Sequence, residues 1–278
     1  MIGFILATLG SLFREVSGSI GKWEVSASRE SYFSMGFLNL LIQAVIYFGI
    51  AFFIRKEFLF SLESLPTFSI RALLEVAQAH VSVLALVRAD RSTYSFVRTI
   101  TIPLLLFVDI ILGYTIGFHQ AVGVTIMFAS VFLFLIDKNV GKTGVFLAGF
   151  TAVNAVITIS LFKYNITHFN SVEAEEGIIT GILMLYFLCM ALVRAKENPF
   201  RLLRKPAIIF QSLSSGAAST LGGFSYAFAP ASLILAVERS SSVLWAILSG
   251  NIYFHEAVLA RKIIFGLFLI IGFIFVSL

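Results

Sequence analysis

The sequence predicts an all-α membrane protein whose ten transmembrane helices form two inverted five-helix repeats. Three observations lead to this fold class: composition, the number of apolar runs and an internal repeat. The 278-residue chain is 59% hydrophobic, and 13% of its residues are charged. Soluble domains are about 45–50% apolar and about 25% charged.

The apolar runs are bounded by charged residues, glycine or proline, and ten of them can be separated. A helix that crosses the hydrocarbon core needs about 20 mostly apolar residues, so ten helices leave short loops and no room for a soluble domain. The first run has no basic region before it and no cleavage site, which indicates a retained span. The predicted spans are residues 2–21, 32–54, 68–87, 92–112, 115–136, 144–162, 175–193, 207–227, 230–252 and 262–277.

A shift of 141 residues places the second half of the chain on the first without gaps. It pairs Gly36 with Gly177 and Arg98 with Arg239, among other identities. Five spans are an odd number, so the second half enters the membrane from the opposite face. This is the inverted-repeat pattern of many secondary transporters. The predicted repeats are residues 1–138 and 139–278, together forming one integral membrane domain.

The 20 Lys and Arg residues are distributed unevenly along the chain. Counted together with the first four residues of the span that follows, odd-numbered loops hold 13 of them and even-numbered loops hold four, which are Arg55, Lys56, Arg71 and Lys163. The positive-inside rule then places the odd loops in the cytoplasm and both termini outside. The net charge of +5 is explained by this loop charge, since no basic tail or stripe favours nucleic-acid binding. Lys22 and Lys163 end equivalent spans, where they are expected to extend to the interface or, alternatively, to border a pathway.

Seven charged residues lie within the predicted spans beyond the first four positions of a span. A charge at the centre of a spanning helix costs about 2.5–3.5 kcal/mol on insertion scales, so such residues face the bundle interior and usually pair. They are either structural ion pairs or parts of a substrate or ion site. The seven are Arg14, Glu15, Glu75, Arg98, Asp109, Glu238 and Arg239.

Arg98 and Arg239 occupy equivalent positions in the fourth and ninth spans. In an inverted repeat such positions lie near mid-membrane, where transporter sites are found. Tyr94 and Thr101 share the helical face of Arg98, and Ser242 shares that of Arg239. Polar faces on apolar helices predict a lined cavity, although polar helix–helix packing gives the same pattern.

These patterns give two sets of candidate site residues. The predicted substrate-binding residues are Arg98, Arg239, Glu238, Tyr94, Thr101, Ser242, Arg14 and Asn154. The predicted proton-coupling residues are Glu75, Glu15 and His80. Glu75 is the first candidate, because a buried carboxyl group without a nearby arginine has a raised pKa and takes up a proton readily. A lone histidine such as His80 is more often a satisfied interior residue.

No catalytic constellation stands out in the sequence. The "GKT" at Gly141 is not a phosphate-binding loop, because Ile136 occupies the position of the first glycine. The single Cys189 excludes a disulfide framework and a cysteine metal cluster. We therefore expect no enzyme activity, no metal site and no cofactor, apart from a coupling proton or other ion.

The C-terminal stretch "APASLILAVERSSSVLWAILSGNIYFHEAVLARKIIFGLFLIIGFIFV" joins a small-residue segment, a helix, a glutamate and a glycine-containing last span. With ten spans in two halves, it resembles the drug/metabolite transporter superfamily in its EamA-like branch. The residues that carry the resemblance are Ala231, Glu238, Glu256, Gly266 and Gly272 in the second half, and Ala89, Pro103 and Gly123 in the first. Tyr114 and Arg239 depart from the pattern, standing where the family usually has a closing Glu and often a Pro. "VRTITIPLLLFVDIILG" also resembles a helix of nucleotide-sugar and sugar-phosphate transporters.

The resemblance implies a secondary transporter that exports a small polar or amphipathic metabolite by alternating access, with its site between the repeats near mid-membrane. The alternatives are a sugar-phosphate or nucleotide-sugar exchanger, a lipid-headgroup flippase and a non-transporting scaffold. The expected partners are the substrate and the lipid bilayer of the plasma (cell inner) membrane, with no nucleic acid. A monomer is expected, with a homodimer as the alternative. The family usually has cytoplasmic termini, contrary to the charge distribution, so both orientations stay open.

Overall fold

The computed structural model describes residues 1–28, 31–88, 98, 100–136, 145–254, 267–268, 270–272 and 274–275. The regular secondary structure in these ranges is helical throughout, which confirms the all-α class for this part of the chain. The α-helices are α1 (Ile2–Ser28), α2 (Tyr32–Gly49), α3 (Leu65–Arg88), α4 (Thr101–Ile111), α5 (Phe118–Ile136), α6 (Val145–His168), α7 (Val172–Met190), α8 (Pro206–Ser225) and α9 (Ala231–Phe254).

Within the described residues, three helical segments are long and apolar enough to cross a membrane. Large apolar side chains stand exposed along them: Phe53, Phe146 and Val193 are 83%, 85% and 72% exposed. Apolar surface of this extent marks a site of contact with other apolar material, here lipid. The chain is therefore a membrane protein. The three segments are Tyr32–Arg55, Phe146–His168 and Val172–Ala195.

α2 and α7 are built in the same way. Each begins at a serine whose side chain caps the helix: Ser31 accepts from the N–H of Ser34, and Ser171 accepts from the N–H of Ala174. Such a cap satisfies one of the N–H groups that a helix start leaves unpaired. Each helix then continues into a π-helical segment, Ile50–Arg55 and Ala191–Ala195 respectively.

The segments that follow also correspond. Each π-helix ends at a lysine in the left-handed conformation, Lys56 with φ 54° and Lys196 with φ 55°. A short 3₁₀ helix comes next, and Pro66 and Pro206 then stand in the first turn of α3 and α8. The matching serines, lysines and prolines are 140 residues apart, one fewer than the 141-residue shift of the sequence repeat.

α2 and α7 run antiparallel. At the start of α2, the hydroxyl of Ser34 donates to Glu197, which lies just beyond the π-helical end of α7. At the opposite end, Arg55, which closes the π-helix after α2, pairs with Glu173 in the first turn of α7 at 2.9 Å. The start of each helix therefore lies beside the end of the other.

Close packing accompanies this arrangement between the two ends. A Cβ atom on Gly36 of α2 would lie 2.6 Å from ring atoms of Phe187 of α7, so a side chain there would require the Phe187 ring to shift. Further along, Gln43 donates to the hydroxyl of Thr180 at 3.0 Å. Small residues and cross-helix hydrogen bonds are what hold membrane helices together where the hydrophobic effect does not.

The chain divides into two compact units, each of which draws on both halves of the sequence. The first unit comprises Met1–Thr8, Ala77–Ser160 and Phe228–Leu278, and the second comprises Leu9–Val76 and Leu161–Ala227. The first unit contains α4, α5 and α9. The second contains α2, α7 and α8, together with most of α1 and the start of α3.

Candidate functional site

Polar side chains of α3, α4 and α6 come together in the first unit. The side-chain amide of Asn154 donates to the amide oxygen of Gln78 at 2.7 Å. The hydroxyl of Thr101 donates to the carbonyl of Arg98 at 2.5 Å and lies 3.4 Å from the carbonyl of Ala152. Thr101 and Asn154 are buried. Two predicted substrate-binding residues, Thr101 and Asn154, are thus joined to or part of α6, and Arg98 contributes its backbone carbonyl; we call this region the α4–α6 polar site.

α9 carries the acid–base pair that the sequence singled out. Glu238 is buried, whereas Arg239 and Ser242 are half-buried. On the same helix, the hydroxyl of Ser241 lies 3.3 Å from that of Thr8 in α1. The polar side chains of α9 therefore include one buried carboxyl group and a hydroxyl close to that of another helix.

Asp109, near the end of α4, has a structural role. Its carboxylate accepts a hydrogen bond from the backbone N–H of Ser232 at 2.7 Å, and the residue is 1% exposed. Ser232 is the second residue of α9, where N–H groups have no partner within the helix. The positive end of the helix dipole also favours an anion at this point. Asp109 therefore caps α9 from a different helix.

The other predicted site residues lie elsewhere. Arg14 and Glu15 belong to the second unit, where Nη2 of Arg14 lies 3.6 Å from the position that a Cβ atom on Gly222 would occupy. Glu15 accepts a hydrogen bond from the hydroxyl of Ser19 at 3.3 Å. Tyr94 lies outside the described residues.

Glu75 was predicted to couple protons because no arginine was expected near it, and the structure shows otherwise. It interacts electrostatically with Arg71, which lies one turn earlier on α3. Residues four apart on a helix share a face, and Arg71 is part of this helix and not of a loop. The interpretation of Glu75 as a carboxyl group without an arginine is therefore wrong. His80, also on α3, is half-buried and belongs to the first unit.

A buried ion network in the second unit was not predicted. Arg71 is 4% exposed, and its two terminal nitrogens donate to Glu175, at 3.0 Å, and to Glu176. Its guanidinium carbon lies 4.5 Å from the ring centroid of Phe162, a cation–π arrangement. One arginine of α3 thus holds two carboxylates of α7.

Glu175 is the centre of this network. It is fully buried, and besides Arg71 it accepts hydrogen bonds from the side-chain amides of Asn165 at 2.8 Å and Asn170 at 2.5 Å. Asn165 in turn accepts from the hydroxyl of Thr67 at 2.6 Å. A buried charge is tolerated when it is paired and hydrogen-bonded in this way. The sequence feature that could have indicated this network is "EAEE" at residues 173–176, a cluster of acidic residues in the first turns of an apolar helix.

Lys163 also differs from its expected position. It is 7% exposed, and its Nζ donates to the backbone carbonyl of Tyr226 at 2.6 Å. The expectation that it extends to the membrane interface is wrong, because α6 continues to His168 and so carries Lys163 inside the helix.

Glu197 ties the end of α7 to the start of α2. Its Oε2 accepts hydrogen bonds from the N–H of Ser31 at 3.3 Å and from the hydroxyls of Ser31 at 2.5 Å and Ser34 at 2.6 Å. Burial raises the pKa of the Glu197 carboxyl, but these hydrogen bonds outweigh it and leave the pKa below its ordinary value. The stability that this contact contributes is therefore present above the unfolded pKa and is lost as the pH falls through the folded pKa.

We expect Glu197→Gln to lower the melting temperature at neutral pH and to remove this pH dependence. The difference between wild type and variant should begin to shrink as the pH falls below about 4.3, the ordinary glutamate pKa. It should approach zero only below the lowered folded pKa, where the wild-type carboxyl is protonated as well. Melting curves between about pH 7 and about pH 3 measure it. Glu57→Gln is the matched control, because Glu57 is exposed and stands 140 residues earlier. A difference that stays constant with pH would contradict the assignment.

The described residues show no group of three or more His, Cys, Asp or Glu side chains that could hold a metal ion. No protein-family model matches the chain, and no curated protein matches it. The chain is similar to a solved structure described as "Crystal structure of protein", with a TM-score of 0.63 and 17% sequence identity. The similarity covers 100% of this chain and 97% of the other chain. At this identity, the likeness shows that the two chains share a fold.

Proposed function

We propose that the protein is a secondary active transporter that exports a small polar or amphipathic metabolite by alternating access. It would belong to the EamA-like branch of the drug/metabolite transporter superfamily and span the plasma (cell inner) membrane ten times. The observation that carries the proposal is the polar set of the first unit, which includes the buried Thr101, Asn154 and Glu238 and the half-buried Gln78. Polar groups are costly inside a membrane bundle, and they typically mark substrate or ion pathways.

The second unit supports the inverted-repeat part of the proposal. α2 and α7 run antiparallel, and their caps, π-helices and left-handed lysines correspond at a spacing of 140 residues. Two inverted repeats would produce both features, since equivalent helices then enter the membrane from opposite faces.

In the proposed mechanism, the substrate lies between the repeats near mid-membrane. Arg98 and Arg239 bind its anionic group, as arginine does with carboxylates and phosphates. Hydroxyl and amide groups of the α4–α6 polar site orient the rest of the substrate. Glu238 is either the partner of an arginine or an acceptor for an exchanged proton, and Glu15 and His80 are the remaining candidates for coupling.

The proposal can be tested by a thermal-shift screen of the purified protein in lipid nanodiscs against a metabolite library. A ligand that binds the folded state raises the melting temperature; at a concentration of about 100 Kd it adds about 2.7 kcal/mol of stability. We expect at least one hit, and we expect Arg239→Ala to lose it. Arg201→Ala is the matched control, because Arg201 is exposed in the 3₁₀ segment Pro199–Arg204.

Uptake of the hit into proteoliposomes then tests transport itself. Wild type should exchange the labelled ligand across the membrane, and Arg239→Ala should not. A set of hits confined to phosphate esters would favour the sugar-phosphate or nucleotide-sugar exchanger. Absence of hits, together with early melting of Arg239→Ala, would overturn the proposal in favour of a scaffold or a lipid-headgroup role.

A further inference from the structure

The antiparallel α2 and α7 give the second unit two ends. We call the "Arg71 end" the one at which α7 begins, formed by residues 61–71 and 165–177. We call the "Gln211 end" the one at which α2 begins, formed by residues 17–21, 31–36 and 197–211. Both ends lie within the second unit.

At each end, one acidic residue joins the α2 segment to the α7 segment. At the Arg71 end, Glu173 pairs with Arg55 at 2.9 Å. At the Gln211 end, Glu197 accepts the hydrogen bonds of Ser31 and Ser34. In this respect the two ends are alike.

The ends differ at three positions that correspond at a spacing of 140 residues, two of them buried and the third half-buried. Arg71 corresponds to Gln211, which cannot form an ion pair. Glu175 corresponds to a methionine, Met35, and Glu176 to a glycine, Gly36. The charged side chains of the Arg71 end thus have neutral counterparts at the Gln211 end.

The bonding differs accordingly. At the Arg71 end, four charge-assisted hydrogen bonds join α3, α6 and the turn after it to α7. At the Gln211 end, the side-chain amide of Gln211 donates to the hydroxyl of Ser17 at 3.1 Å, and its Oε1 is buried without a hydrogen-bond partner. Charge-assisted hydrogen bonds are about twice as strong as neutral ones. Buried atoms without a hydrogen-bond partner occur at both ends, Nε of Arg71 and Oε2 of Glu173 at one and Oε1 of Gln211 at the other, so the difference lies in the bonds that are formed.

We propose that the Arg71 end is the closed gate of the resting protein and that the Gln211 end is the one that opens to water. Opening the Arg71 end would separate Arg71 from Glu175 and Glu176. Opening the Gln211 end would break the neutral hydrogen bond of Gln211 in place of this buried ion network. The hydrogen bonds of Glu197 at that end have a counterpart in the Arg55–Glu173 pair at the Arg71 end, so they do not change the comparison. The inference rests on the proposed function, since gates have a role only in alternating access.

Two matched alanines provide reporters for this difference. Ala51 lies one turn before Arg55 at the Arg71 end, and Ala191 lies 140 residues later at the Gln211 end; both are 0% exposed. Each would be replaced by cysteine in a Cys189→Ser background, because Cys189 is exposed and would otherwise react. The rate of reaction with a charged, water-soluble maleimide, measured in nanodiscs, reports how often each end opens.

We expect Ala191→Cys to react about tenfold faster than Ala51→Cys, or more, a factor that corresponds to about 1.4 kcal/mol. Equal rates, or faster reaction of Ala51→Cys, would overturn the inference. Because both reporters are alanine-to-cysteine changes at equivalent positions, the comparison needs no further variant.

Exchanging the buried residues between the ends tests the cause. Arg71→Gln combined with Glu175→Met and Glu176→Gly rebuilds the Arg71 end as a neutral one, and labelling at position 51 should rise about tenfold. Gln211→Arg combined with Met35→Glu adds an ion pair at the other end, and labelling at position 191 should fall. If rates at the reporters did not follow these exchanges in the variants that fold, the ion network would not be the gate.

The experiment requires no substrate, so its failure is separable from failure of the proposed function. Equal labelling of the two reporters, together with a transported ligand, would support the proposed function and overturn the inference that the two gates differ. Unequal labelling of the two cysteine reporters, with no ligand bound and no transport detected, would mean that the two ends of the second unit open unequally but that the protein does not work by alternating access.

Discussion

Replacing Arg71 with methionine is expected to destabilise the protein by about 3–5 kcal/mol, the usual cost of removing one partner from a buried ion pair. Methionine fills a similar volume, so the effect comes from charge and not from a cavity. It leaves Glu175, which is fully buried, and Glu176 without their shared cation. The free energy of unfolding in mixed detergent micelles measures the loss.

Two variants control this measurement. Arg71→Lys keeps the charge but cannot hold two carboxylates with a planar fork, so we expect an intermediate loss. Arg201→Met removes an exposed arginine and should stay within about 0.5 kcal/mol of wild type. If Arg71→Met were as stable as Arg201→Met, the network would contribute nothing measurable to folding.

Asp109→Ala should give the second large effect, a loss of about 1–3 kcal/mol, because it leaves the N–H of Ser232 buried without an acceptor. Asp109→Asn keeps an oxygen that can accept this hydrogen bond but removes the charge at the start of α9. The charge–dipole contribution lost in that case is about 0.3–1 kcal/mol. Unfolding free energies of the two variants therefore separate the hydrogen bond from the charge.

Thr115→Ala serves as the control for Asp109, since Thr115 is exposed in the connection after α4. It should change stability by no more than about 0.5 kcal/mol. Equal losses for Asp109→Ala and Asp109→Asn would show that the charge, and not the hydrogen bond, holds the start of α9.

Sequence reasoning identified the helices well because the length of an apolar run is a local property. It was less accurate at helix ends: α1 continues to Ser28 and α6 to His168, beyond the predicted residues 21 and 162. Charged and polar residues near a predicted interface were taken as the end of the helix. The structure shows that these residues continue the helix instead, and Lys163 bonds inside the protein.

The candidate site was predicted unevenly for a related reason. Charges in the middle of apolar runs, such as Glu238, are conspicuous against their neighbours. Arg71 and Glu175 lie near the ends of their runs, where a solvated charge is the ordinary explanation. They are 104 residues apart in the sequence, and a single sequence carries no record of which distant residues meet. Burial and pairing of this network therefore required the fold.

The burial of Asn165 bears on how the protein can be produced. Asn165 opens the sequence Asn-Ile-Thr, an acceptor for N-linked glycans in secretory-pathway hosts. The residue is 0% exposed, and the nitrogen that would carry the sugar already donates to Glu175. Once the chain has folded, a transferase cannot reach that atom. A glycan found at this position after expression in such a host would therefore mark chains that had failed to assemble.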